Sequence, residues 1–234
     1  MSDAQKRIGT IGFPTAKQRV LNEVDVVEVS SARAIPPKPA TAKKWRKEAP
    51  GSVAFNVQVP RFLCESPPHE TPLPGKLGSY GSFQLTEENL DLWERTIRFA
   101  EALQALCLVL LTPLEFTPTP AHIDAFSRFL STVPRGKLDI VWELRGPWDR
   151  RQALAVASSN KLTLAVDPLR DPLPPGEAGY FRLGPFASFG TRLGVYELER
   201  LAEAMSKPQK ATCVFETAHA LDDARNLKKM INGG

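Results

Sequence analysis

Leu138-Asp-Ile-Val-Trp-Glu-Leu-Arg145, followed at once by Gly146-Pro147-Trp148, decides how this chain is to be read. A short apolar run ends in charged residues, turns, and gives way to an amphipathic stretch at 149–158. Near-continuous apolar runs, rather than clean alternation, suit parallel strands covered on both faces. The rhythm recurs along the whole chain. It predicts strands at 7–12, 24–30, 53–59, 106–111, 138–144, 162–167, 179–183 and 211–216. Helical signals lie between them. Thr86 is a plausible N-cap before Glu87 and Glu88, and Thr119 precedes Pro120 at a first helical position. Further helices are expected at 149–158, 196–205 and 221–231, the last closing in Asn232-Gly233-Gly234. Alternating βα units leave a doubly wound sheet or a barrel. Eight units in 234 residues favour the barrel, so the expectation is α/β, a single TIM-like (β/α)8 domain over residues 1–234.

Composition bounds the function. At 42% hydrophobic the chain can bury one substantial core. The charged start Met1-Ser-Asp-Ala-Gln-Lys-Arg7 has no signal-peptide pattern, and 103–114 is too short for a membrane span and contains Pro113. Cys64, Cys107 and Cys213 are widely spaced, which reads as reduced thiols in a cytoplasmic protein. The formal charge is +4, and six basic residues (Arg33, Lys38, Lys43, Lys44, Arg46, Lys47) fall between 33 and 47 with no acid among them. A solvated basic helix is the plain reading, an anion-attracting rim the sharper one. No zinc-finger or RNA-recognition signature accompanies it, so nucleic acid is not an expected partner.

Two stretches break the rhythm. Residues 61–83 carry four prolines and a Gly75-Lys-Leu-Gly-Ser-Tyr-Gly-Ser82 run, and 167–176 reads Asp-Pro-Leu-Arg-Asp-Pro-Leu-Pro-Pro-Gly. Both are expected as loops at the C-terminal mouth, the first as a long insertion after the third strand. The run Gly184-Pro-Phe-Ala-Ser-Phe-Gly190-Thr-Arg-Leu-Gly194 is a candidate anion-binding loop after the seventh strand.

Barrel parity proposes a site. Glu143 and Arg145 are two apart and project to the same side at the end of the fifth strand. Asp167 ends the sixth strand, Arg182 the seventh and Glu216 the eighth, while Glu28 lies near the end of the second and Arg61 just past the third. In this reading Arg145 and Arg182 clamp a small anion, with Glu28, Arg61 and Glu216 as further ligand contacts. Glu143 or Asp167 would serve as general base for a hydrolysis or isomerisation. The structural alternative is that Glu143–Arg145 and Asp167–Arg182 are ion pairs closing the barrel top. His69, His122 and His219 have no metal-ligand spacing, and neither metal nor cofactor is expected.

Several motifs together resemble one family. Gly9-Thr-Ile-Gly-Phe13 resembles the opening G-T-S-G-W of the YecE-like barrels, also called domain of unknown function 72. Val27-Glu-Val-Ser-Ser31 is similar to that family's V-E-I-N-S-T. Trp45 with Phe55-Asn-Val-Gln-Val-Pro-Arg61 resembles a Trp followed by F-x-V-K-A-P-R. Val141-Trp-Glu-Leu-Arg145 with Trp148 resembles E-F-R-H-x-S-W, and Tyr180-Phe-Arg-Leu-Gly184 resembles Y-x-R-L-H-G. Cys213-Val-Phe-Glu-Thr217 stands where the family has an aromatic followed by N-N. The resemblance spans nearly the whole chain and implies a TIM barrel of unassigned function. The departures are also specific: Phe13 stands for Trp, Gln58 for Lys, Gly146 for His and Glu216-Thr217 for the paired Asn, and the His before Gly184 is absent. They leave two readings open. One is a barrel binding a small anionic molecule, with or without turnover; the other is a non-catalytic scaffold acting through a protein partner.

Overall fold

A computed structural model describes residues 5–176, 178–184 and 192–233. The strands are β1 (Gln5–Ile11), β2 (Val26–Val29), β3 (Ala54–Gln58), β4 (Cys107–Thr112), β5 (Asp139–Leu144), β6 (Leu162–Val166), β7 (Ala178–Leu183) and β8 (Lys210–Phe215). They close into a barrel in the order β1 to β8, and each registered pair is parallel. Among the described residues seven α-helices follow the strands: α1 (Lys17–Glu23), α2 (Pro39–Glu48), α3 (Glu87–Leu103), α4 (Pro120–Thr132), α5 (Arg150–Ser159), α6 (Val195–Ser206) and α7 (Ala220–Asn232). The (β/α)8 expectation holds, with one helix missing. After β6 the chain runs 167–176 without one, and Leu169 and Leu173 pack against the core in its place.

The expected helix starts have the expected chemistry. The Thr86 and Thr119 side chains accept from Asn89 N–H and His122 N–H, and Asp149 accepts from Arg151 and Gln152 N–H, so orphan donors of the first turn are satisfied. Helix α1 was not foreseen. It has seven residues, no side-chain cap and only Val20 and Leu21 buried. The basic stretch does form a helix, α2, on which Lys43, Lys44 and Lys47 are exposed.

The chain divides into two compact units. The first comprises residues 1–29, 47–55 and 164–234. In it Ile8, Phe181, Leu183, Cys213 and Phe215 pack with Leu198, Leu201 and Met205 of α6 and Leu227 of α7. Because these strand residues face the helices, their alternates Gly9, Tyr180, Arg182 and Val214 face inward. Gly9 is required where β1 meets β2: a Cβ there would lie 1.7 Å from the Val26 carbonyl oxygen.

The second unit comprises 30–46 and 56–163. Its core is aromatic, with Phe83, Phe116, Phe126, Phe129, Trp93 and Trp142 in edge-on and tilted contacts between 4.9 and 5.7 Å. The 61–83 stretch is a loop as expected, but a packed one. It has 3₁₀ turns at Arg61–Leu63 and Leu77–Ser79 and buries Phe62, Leu63, Tyr80 and Phe83. Gly81 N–H donates to Phe62 O at 2.8 Å and Phe83 N–H to Leu63 O at 2.7 Å, folding the loop back on itself.

Candidate functional site

In the first unit the structure brings together two residues that the sequence separates by 154 positions. Glu28 on β2 is fully buried, and Arg182 on β7 meets it with Nη2 at 2.8 Å from Oε1 and Nε at 3.2 and 3.1 Å from the two oxygens. Tyr180, two residues before Arg182 on the same face, donates its hydroxyl to Glu28 Oε2 at 2.8 Å. The forked geometry satisfies a carboxylate that burial would otherwise make costly. The Arg182 side chain is 4% exposed. Tyr180 is the member of this group that sequence reading missed, although its spacing from Arg182 put both on one face.

Asp167, just past β6, does not pair with Arg182. Its carboxylate accepts from Leu169 N–H at 3.0 Å and lies 3.6 Å from Arg170 Nε. The turn that follows, closed by Arg170 and Asp171 N–H on Asp167 O, delivers Arg170 locally and supersedes the long-range ion pair expected from sequence. Burial raises the Asp167 carboxyl above its ordinary range, against the lowering effect of the Leu169 N–H and Arg170. Glu216 follows β8 and is exposed, its backbone N–H bound to Leu183 O at 2.8 Å. The candidate anion loop at 184–194 lies largely outside the described residues.

In the second unit Arg145 Nε meets Glu143 Oε1 at 3.2 Å, with side-chain exposures of 39% and 20%. They are the same-side pair that strand parity predicted. Trp148 folds back so that its indole N–H donates to Phe116 O at 2.6 Å, and Phe116 stacks between Trp148 and His122 at 5.6 and 5.3 Å. This packing explains one departure from the family pattern: a Cβ on Gly146 would lie 2.7 Å from Phe116 O, so no His fits there with this backbone. Arg61 is exposed after β3, its guanidinium 4.7 Å above the Phe62 ring.

Beside these residues the loops after β3 and β4 enclose a cavity of about 480 Å³, lined by Cys64, Glu65, Ser66, Ser82, Pro113, Glu115, Phe116 and His122. Sequence reading assigned none of them to a site. Cys64 belongs to the loop after β3 and His122 to the first turn of α4, and no local spacing joins them. The Cys64 thiol donates to Arg61 O and Leu111 O at 3.3 and 3.8 Å, and burial together with Glu65 pushes it up to about 12, so it is a poor nucleophile. A second cavity of about 450 Å³ lies in the first unit between 168–173 and α6. Among the described residues no group of three His, Cys, Asp or Glu side chains could hold a metal ion, and no helix is long and apolar enough to cross a membrane.

Backbone comparison decides the fold. A DUF72 family protein from Enterococcus faecalis V583 superposes with TM-score 0.69 at 19% identity, covering 99% of both chains. The chain has the fold of the DUF72 proteins. A DUF72 protein from Thermotoga maritima MSB8 gives TM-score 0.66 at 15% identity, covering 97% of this chain and 99% of that one. A xylose isomerase domain containing protein from Salmonella typhimurium LT2 gives 0.56 at 11% identity, covering 100% and 97%. No protein-family model and no curated protein matches the sequence. The motif resemblance to the YecE-like barrels and the backbone likeness to DUF72 structures therefore point the same way.

Proposed function

We propose that this is a divergent DUF72 barrel that binds a small anionic molecule through Arg145, at the C-terminal end of β5. One observation carries the reading. The Arg145 guanidinium is tied to Glu143 through Nε alone, and among the described residues its terminal nitrogens have no protein partner. A planar fork with two open N–H groups matches a carboxylate or phosphate, and the C-terminal strand ends are where (β/α)8 proteins build their sites. Arg61, exposed after β3, is the second guanidinium of the proposal. Arg182 moves from clamp to structural role, because its fork is already occupied by Glu28. If turnover accompanies binding, Glu143, whose Oε1 lies 3.2 Å from Arg145 Nε, is the carboxylate assigned to proton transfer.

The mated Glu28–Arg182 pair and the Gly146 substitution favour a second reading, a non-catalytic scaffold. A thermal-shift screen of phosphorylated and carboxylated metabolites against wild type and Arg145→Ala separates the two. The first reading expects an anion that stabilises wild type and fails on the variant. Absence of any stabilising anion, or equal stabilisation of both proteins, leaves the scaffold.

A further inference from the structure

We propose that the cavity between the loops after β3 and β4 is a second binding site, for a small ammonium-bearing molecule. It differs from the Arg145 site in residues and in the charge it selects. Its polar wall is rich in hydrogen-bond acceptors. Glu65 and Glu115 contribute carboxylates, and among the described residues no Lys or Arg lines the cavity. Arg33 approaches Glu65 at 3.7 Å and offsets that charge. Among the described residues the Glu115 carboxylate has no hydrogen-bond or ion-pair partner, so one negative charge at the cavity is left without a counter-ion.

His122 adds a third acceptor. Its Nδ1 lies 2.9 Å from Thr117 O, and because a carbonyl can only accept, Nδ1 carries the proton. In the neutral ring Nε2 then keeps its lone pair. Stacking on Phe116 at 5.3 Å and 20° fixes the orientation of the ring. The one thiol of the wall is already spent on two carbonyls. Ser66 and Ser82 are the remaining hydroxyls, able to donate or accept.

A wall of acceptors with one uncompensated charge selects a ligand that brings donors and a positive charge, and repels an anion. The cavity volume of about 480 Å³ holds a molecule of monosaccharide size with room for water. The cavity is also pre-formed. Gly81, Ser82 and Phe83 hold left-handed φ values of 88°, 51° and 52°, pinned by Ser82 N–H on Cys64 O at 3.0 Å and the neighbouring backbone bonds.

Three probes of one size test the charge preference: glucosamine, glucose and gluconate. Binding is followed through the His122 ring signals in ¹H–¹⁵N spectra, assigned with His122→Gln. The proposal expects glucosamine to bind, glucose to bind at least roughly tenfold more weakly, and gluconate not to bind. It expects Glu115→Gln to weaken glucosamine roughly tenfold, the scale of one charge-assisted contact. Arg145→Ala should leave glucosamine affinity unchanged, and Glu115→Gln should leave any anion bound at Arg145 unchanged, so the two sites fail separately. Gluconate binding as well as glucosamine, no perturbation of His122 by glucosamine at tens of millimolar, or a folded Glu115→Gln protein with undiminished affinity overturns the proposal.

Discussion

Arg145 and Arg182 each follow the same sequence logic, a guanidinium at the C-terminal end of a barrel strand, yet their surroundings are opposite. Arg182 is buried and forked onto Glu28, to which Tyr180 also donates, whereas Arg145 is open and held by one contact. Removing one partner of a buried pair leaves the other charge unpaired, at a cost of about 3–5 kcal/mol. Arg182→Met and Glu28→Leu should each cost that much in urea unfolding. The double variant should cost far less than their sum, because it removes both charges together. Additive losses would show that the pair is not the unit described here. Asp167 gives a prediction of a different kind. Its folded carboxyl holds a proton more tightly than in the unfolded chain, because burial favours the neutral form. Stability contributed by that proton is therefore fully present below the ordinary aspartate pKa of about 3.9 and is lost as pH rises through the raised folded value. Relative to Asp167→Asn, wild type should gain stability as pH falls from 7 toward 4; a relative loss over that window would contradict the assigned environment.

At the scale of elements, the sequence was most legible where the signal was local. All eight strands lie where continuous apolar runs end in a polar residue, α3 and α4 begin directly after Thr86 and Thr119 as the sequence predicts, and α5 begins within one residue of the expected 149. Helix α1 escaped because seven residues with two buried side chains and no side-chain cap carry neither a stripe nor a start signal. The pairing of Glu28 with Arg182 escaped for the converse reason. Strand parity placed both residues at strand ends, but nothing local records which charge meets which across 154 positions. The same limit misdirected Asp167, whose partner Arg170 is three residues away in a turn. One element-scale contact is sharply testable. Gly9 lets β1 approach β2 so closely that a Cβ would overlap the Val26 carbonyl. Gly9→Ala should destabilise the protein by about 3 kcal/mol in urea unfolding, the upper end of overpacking costs, since backbone rather than a mobile side chain must yield. Wild-type stability in that variant would mean that the β1–β2 register is not the one described.

For the molecule as a whole, the fold of the DUF72 structures persists at 19% identity or less, while several polar residues differ from those of the motifs that the sequence resembles. Such persistence is what a barrel framework allows: apolar strand residues set the architecture, and the strand ends and loops are free to take new chemistry. The central claim is a division of labour among the charges, in which Glu28 and Arg182 stabilise the barrel and Arg145 meets the ligand. Calorimetric titration of the stabilising anion into wild type, Arg145→Ala and the Glu28→Leu/Arg182→Met double variant tests it most directly. The account predicts that Arg145→Ala loses binding by roughly 30-fold or more, the equivalent of a charge-assisted fork of about 2–3 kcal/mol. It predicts that the double variant binds within roughly threefold of wild type. Binding retained by Arg145→Ala and lost by the double variant would contradict it.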